Sequence, residues 1–246
     1  TYEYTKYPSE DLLKTEITSS VRYIDATTVY GDEDLDGWVT KLNTTSWNSV
    51  HDATVGSLAG KTSTGASTAA WASITSFFGN IQYRIHRSFL GFDTSVIQHT
   101  PQSAKLYLYE HTNPGSFILV EATHTDIVTS TFNDFTGFES GWDGDNAGGS
   151  GAGSGIVPYT PTGQGSGVAD GYGGVTTDAY YDIDLNDAAI TAIANNDTWK
   201  TCAMTDNDFK DIGGGAAAGF YFTEYTGTSR DPYLYIVEAV ALGNVH

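Results

Sequence analysis

Cysteine is almost missing from the chain. Cys202 stands alone, so no disulfide can close within it, and the fold must hold by packing, or by packing plus a metal. Basic residues are scarce as well. Eleven Lys and Arg oppose 30 Asp and Glu, a formal charge of −19. That balance excludes an unaided grip on nucleic acid or anionic lipid, because phosphate binding rests on clustered Lys and Arg. No apolar run approaches the ~20 residues of a membrane helix, so no membrane partner is expected. Residues 1–16 lack the basic-then-apolar pattern of a signal peptide, and a start at Thr1 suits either removal of an initiator Met, the favoured reading, or trimming of a longer precursor. Only six prolines and one Met occur, and only 17% of residues are charged.

What the chain does have is aromatic and β-branched residues, glycine and hydroxyls. With 39% hydrophobic and 13% aromatic residues and 28 Gly, it reads as β-rich. At 246 residues it can bury roughly 70% of the surface of its unfolded form, enough for one or two real cores.

Residues 20–30 are β-branched and aromatic and end at an acidic turn, which predicts a first strand. Residues 81–93 alternate, with Ile81, Tyr83, Ile85, Arg87 and Phe89 sharing one face. Residues 103–109 repeat the alternation with Ala104, Leu106 and Leu108 inward; residues 117–122 and 219–225 are further strands. Residues 232–241 are apolar at odd and even positions alike, which predicts a central strand covered on both faces. One short helix is expected, with Asn186 as N-cap and residues 188–194 supplying helix formers. Residues 137–174 hold half of the glycines and read as a long excursion from a single domain.

Arg87-Ser88-Phe89-Leu90-Gly91-Phe92-Asp93-Thr94-Ser95, followed by Pro101 to Tyr109, resembles the opening of the DNRLRE-type β-sandwich domain. Tyr181-Asp182-Ile183-Asp184-Leu185, the helix after it and Trp199 are similar to that family's middle step. Phe222-Thr223-Glu224 with Asp231 to Ile236 is similar to its finish. The likeness spans about residues 80–241, around the glycine-rich stretch. It implies an all-β fold, a jelly-roll-like antiparallel β-sandwich with one short helix and a long Gly-rich loop. Residues 1–79 would add strands to the same sandwich, and 80–246 would form the core. The family's motifs are structural, and its sandwich occurs in carbohydrate-binding modules, surface proteins and virion proteins of tailed bacteriophages.

Among candidate sites, Asp32, Asp34 and Asp36 before Gly37 spell the first half of a calcium loop: three alternate carboxylates can converge on one hard cation. Calcium is thus the expected cofactor, if any. Arg87 lies on an otherwise apolar face and requires a buried carboxylate, with Asp93 or Asp182 as candidates for a structural pair. Trp142, beside the glycine-rich stretch, is the candidate ligand platform. No nucleophile elbow, zinc spacing or complete phosphate loop occurs. The expectation is a non-enzymatic association protein, a capsid decoration, tail or fibre subunit of a tailed phage. Its partners would be protein subunits, as a homo-oligomer or as virion neighbours. It would be made in the host cytoplasm and located in the virion. The alternative is a secreted or cell-surface module that binds polysaccharide.

Overall fold

The computed structural model describes residues 22–61, 70–77, 80–112, 117–138, 156–160, 179–211, 213–214, 216–223 and 228–241. Most of them form antiparallel strands in two layers. The first layer orders β1 (Arg22–Tyr30), β11 (Tyr233–Ala241), β6 (Thr100–Thr112) and β8 (Tyr180–Asp184). The second is built on the 14-residue β5 (Asn80–Asp93). One edge of β5 pairs with β2 (Gly37–Asn43), which carries the short β3 (Leu58–Gly60). The other edge is shared: β4 (Ala70–Phe77) takes the first half of β5 and β9 (Thr198–Thr205) the second, and β7 (Phe117–Glu121) pairs with β9. Between the layers runs β10 (Ala216–Phe220), whose register shifts at Gly219/Phe220 as it leaves β4 for β6. Such an irregularity is what lets one strand serve two sheets. The chain is an all-β antiparallel sandwich.

Two cores follow from this layering. The first lies between the layers, where Leu106, Leu108, Ile183, Leu234 and Ile236 face Leu90, Phe92, Phe117, Leu119 and Trp199. The second lies on the far side of the second layer, where Ile85, Phe89, Ile118, Val120, Cys202 and Met204 meet Val50, Ile127, Phe132, Phe135 and Phe209 from the flanking loops and turns. Strands covered twice should read as continuous apolar runs, and Phe117-Ile118-Leu119-Val120 does: all four are buried.

The strand covered twice is therefore not the last one. In β11, Leu234, Ile236 and Glu238 are buried while Tyr235 is exposed. Counting its tyrosines as core residues was the error, because a tyrosine on a sheet face can lie half-buried with its hydroxyl in water.

The expected helix is α2 (Asp187–Asn195); the Asn186 side chain accepts from the Ala189 N–H at 3.0 Å, satisfying one of the orphan donors of the first turn. Two four-residue helical turns, α1 (Asn48–His51) and α3 (Asp206–Phe209), were not anticipated. They bring His51 and Asp208 over the second core.

There they settle the fate of Arg87, which is fully buried. Its partner is Asp208, neither Asp93 nor Asp182. The Nε donates to Asp208 Oδ2 at 2.7 Å and an Nη to Oδ1 at 2.8 Å, a bidentate pair; the remaining donors reach the carbonyls of Phe132 and His51. The guanidinium also sits 4.3 Å from the centre of the Phe132 ring. Asp93 is exposed and accepts from Ser95. Asp182 points out from the opposite layer.

Candidate functional site

The outer face of the first layer concentrates tyrosines, and strand alternation puts them there. In β6 the inward Ala104, Leu106 and Leu108 leave Lys105, Tyr107 and Tyr109 outward, and in β11 the inward Leu234 and Ile236 leave Tyr233 and Tyr235 outward. Register then sets them side by side. Tyr30, Tyr233, Tyr107 and Asp182 form one row across β1, β11, β6 and β8; Thr28, Tyr235, Lys105 and Asp184 form the next; Tyr109 opposes Tyr180 on the other flank.

Rings in contact make a continuous array. Tyr107 and Tyr233 stack nearly parallel, 4.6 Å apart at 6°. Tyr180 meets Tyr233 edge-on at 5.2 Å and Tyr109 at 5.0 Å, and Tyr30 leans on Tyr233 at 5.8 Å. Arg230 closes the array, its guanidinium 5.0 Å from the centre of the Tyr109 ring and 4.9 Å from that of Tyr221. Tyr30 keeps 54% and Tyr235 39% of their surface in solvent. Burial among these rings raises the Tyr180 phenol to about 12 and pushes Tyr233 upward, so these two hydroxyls stay protonated and neutral. Lys105 donates to Asp182 at 2.5 Å and lies 3.1 Å from Asp184; these hydrogen bonds raise its ammonium. The face offers neutral hydroxyls, ring edges and a small set of mixed charges.

The sequence reading places Tyr233 and Tyr235 on a covered face, while the alternation of residues 103–109 already leaves Tyr107 and Tyr109 outward. The outward i, i+2 pairs Tyr107/Tyr109 and Tyr233/Tyr235 were the available signal, once Leu106, Leu108, Leu234 and Ile236 are assigned inward.

The other candidates fall elsewhere. Asp32, Asp34 and Asp36 share one turn but face different ways. The Asp32 carboxylate accepts the Asp34 N–H at 2.9 Å, and Asp34 lies 3.5 Å from Lys61. Asp36 is buried, accepts the Gly91 N–H at 3.0 Å and is also hydrogen-bonded by the Thr223 hydroxyl. Among the described residues no group of three or more His, Cys, Asp or Glu is placed to hold a metal. Trp142 lies outside the described residues, as do 139–155 and 161–174 of the glycine-rich stretch. Cys202 is buried, and burial pushes its thiol up, away from the reactive thiolate.

At one end of the sandwich a polar cleft of about 720 Å³ opens between residues 94–101 and the end of α2. Its wall is pinned by Glu238, which is buried and accepts the N–H groups of Gln98 at 3.0 Å and His99 at 2.7 Å and the Thr27 hydroxyl at 2.6 Å. Burial alone would push that carboxyl up; the hydrogen bonds outweigh it and hold it low. Glu238 thus serves to fasten a loop.

No protein-family model matches the chain, and no curated protein does. Nor is any helix among the described residues long and apolar enough to cross a membrane.

Proposed function

We propose that this protein works by association and not by catalysis, as a structural subunit that docks on other protein subunits through the outer face of its first layer. The observation that carries the reading is the asymmetry of the two layers. One is covered on both faces by the chain's own side chains. The other turns a tyrosine array, with Tyr30 and Tyr235 well exposed, toward solvent. Tyrosine supplies large contact area at small conformational cost together with a hydroxyl for hydrogen bonding, and it is enriched at protein contacts.

The setting we infer is a virion of a tailed phage, with this chain as a capsid decoration, tail or fibre subunit. The segment order that resembles the DNRLRE-type sandwich supports it, as do an acidic surface averse to nucleic acid and the lack of disulfides. The second reading, a polysaccharide-binding module, draws on the same aromatics. Sugar rings stack on open aromatic faces, however, and Tyr107 and Tyr233 spend theirs on each other. Co-sedimentation with phage particles, run beside a glycan array, separates the two: retention on particles without glycan binding supports the first, and a specific glycan bound by the monomer would replace it with the second.

Calcium is proposed only conditionally. The Asp32–Asp36 turn could hold it if Asp36 gave up Gly91 and Thr223, and melting with and without EDTA decides the point.

A further inference from the structure

Resting on that association reading, we propose that the tyrosine face is where two copies of this chain meet, packed face to face about a twofold axis. The copies carry −19 each and repel one another over most approaches. On this face the solvent-facing described charges cancel, Lys105 and Arg230 against Asp182 and Asp184, while Asp231 beside Tyr180 is buried. A twofold contact brings a patch against its own image, so it suits a surface that carries both signs in equal number. Lys105 of one copy then lies within reach of the acidic Asp182 and Asp184 of the other, and the tyrosine rows interleave between them. A partner bearing a strong charge of either sign would gain little steering from a neutral face, whereas a second copy needs one.

The size is that of a small interface. Nine-residue stretches of β1, β11 and β6 and the five-residue β8, about 4.8 Å apart with about 3.3 Å per residue, give a projected footprint on the order of 500 Å². Protruding tyrosines add to it, and the contact falls toward the low end of the interface sizes that support association, below the ~800 Å² per partner of a standard one.

Light scattering after size exclusion, on the full chain, tests this. The expected mass is twice the 26.3 kDa of the chain. The dimer should tighten between ~0.05 M and ~1 M NaCl, because salt screens the net repulsion over a Debye length that falls to ~3 Å. Tyr235→Ser changes an exposed residue and should return the monomer with unchanged far-UV circular dichroism. Lys105→Glu should weaken the dimer about tenfold or more, a change of about 1.4 kcal/mol. K105E/D182K, which exchanges the two charges and restores a neutral face, should recover much of it. A wild-type monomer up to about 1 mM, which corresponds to less than about 4 kcal/mol of affinity, overturns the proposal, as does a dimer indifferent to Tyr235→Ser. A monomer that still co-sediments with particles overturns the twofold contact alone; a monomer that binds no protein partner overturns the association reading with it.

Discussion

Truncating Asp208 to alanine leaves a guanidinium in the second core with no counter-charge. Arg87 has no solvent exposure, and two of its donors point at the Asp208 carboxylate at 2.7 and 2.8 Å; what would remain are the carbonyls of Phe132 and His51, at 3.1 and 3.4 Å, and the Phe132 ring. Breaking a buried pair by removing one partner costs about 3–5 kcal/mol, since the surviving charge keeps its desolvation penalty and loses its attraction. For a chain of this size each kcal/mol lowers the melting temperature by about 2–4 °C, so the variant should melt roughly 6–20 °C below wild type. Urea unfolding followed by tryptophan fluorescence measures the free energy, and calorimetry the temperature. Replacing both partners, R87M/D208L, removes the charge with the carboxylate and should recover most of the loss, because an apolar pair of similar volume is often neutral or stabilising there. A loss below about 1 kcal/mol in Asp208→Ala would refute the reasoning, for that is the cost of an exposed pair.

The remaining predictions concern pH, a turn and a close approach. His86 and His124 are buried, and burial lowers their imidazoles to about 3 and about 4. The folded protein therefore refuses protons that the unfolded chain accepts below about pH 6.5, and stability falls as pH falls through that value. At pH 5 each ring contributes a loss of about 2 kcal/mol. Urea midpoints at pH 7.5 and pH 5 check it, and a flat profile contradicts it. Removing the Asp36 carboxylate leaves the Gly91 N–H without its partner and should cost about 1–3 kcal/mol. That loss should be the same in calcium and in EDTA if protein donors, and not a cation, hold Asp36; a loss seen only with calcium present would restore the metal reading. At Gly91 an added Cβ would come 2.5 Å from the Leu35 Cβ, so Gly91→Ala should destabilise by about 1–3 kcal/mol in the same assay, and a neutral result would mean the turn gives way freely.

Alternation made much of the sandwich legible. The strands of residues 81–93, 103–109 and 117–122, the last ending one residue earlier in the structure, and the Asn186-capped helix all follow from local pattern and capping chemistry. Layer assignment was not legible in the same way, because a strand such as Tyr233–Ala241 reads as apolar on both sides until tyrosine is allowed to face water. The partner of Arg87 lies 121 residues away on a four-residue helical turn, Asp206–Phe209, too short to leave a periodic signal. Nothing in the sequence marks Glu238; only the fold shows that its carboxylate gathers two N–H groups and a hydroxyl and so can be buried. The candidate face was hidden for a related reason. Its residues come from four separate strands, and only the register of β1, β11, β6 and β8 brings them into rows.

Chemical labelling of tyrosine tests the contact surface most directly. Nitration or iodination followed by mass spectrometry, on the dilute protein and on the associated form, should show Tyr30 and Tyr235 reactive in the first and protected in the second. Equal labelling of those two residues in both states would place the contact elsewhere on the molecule and contradict the account.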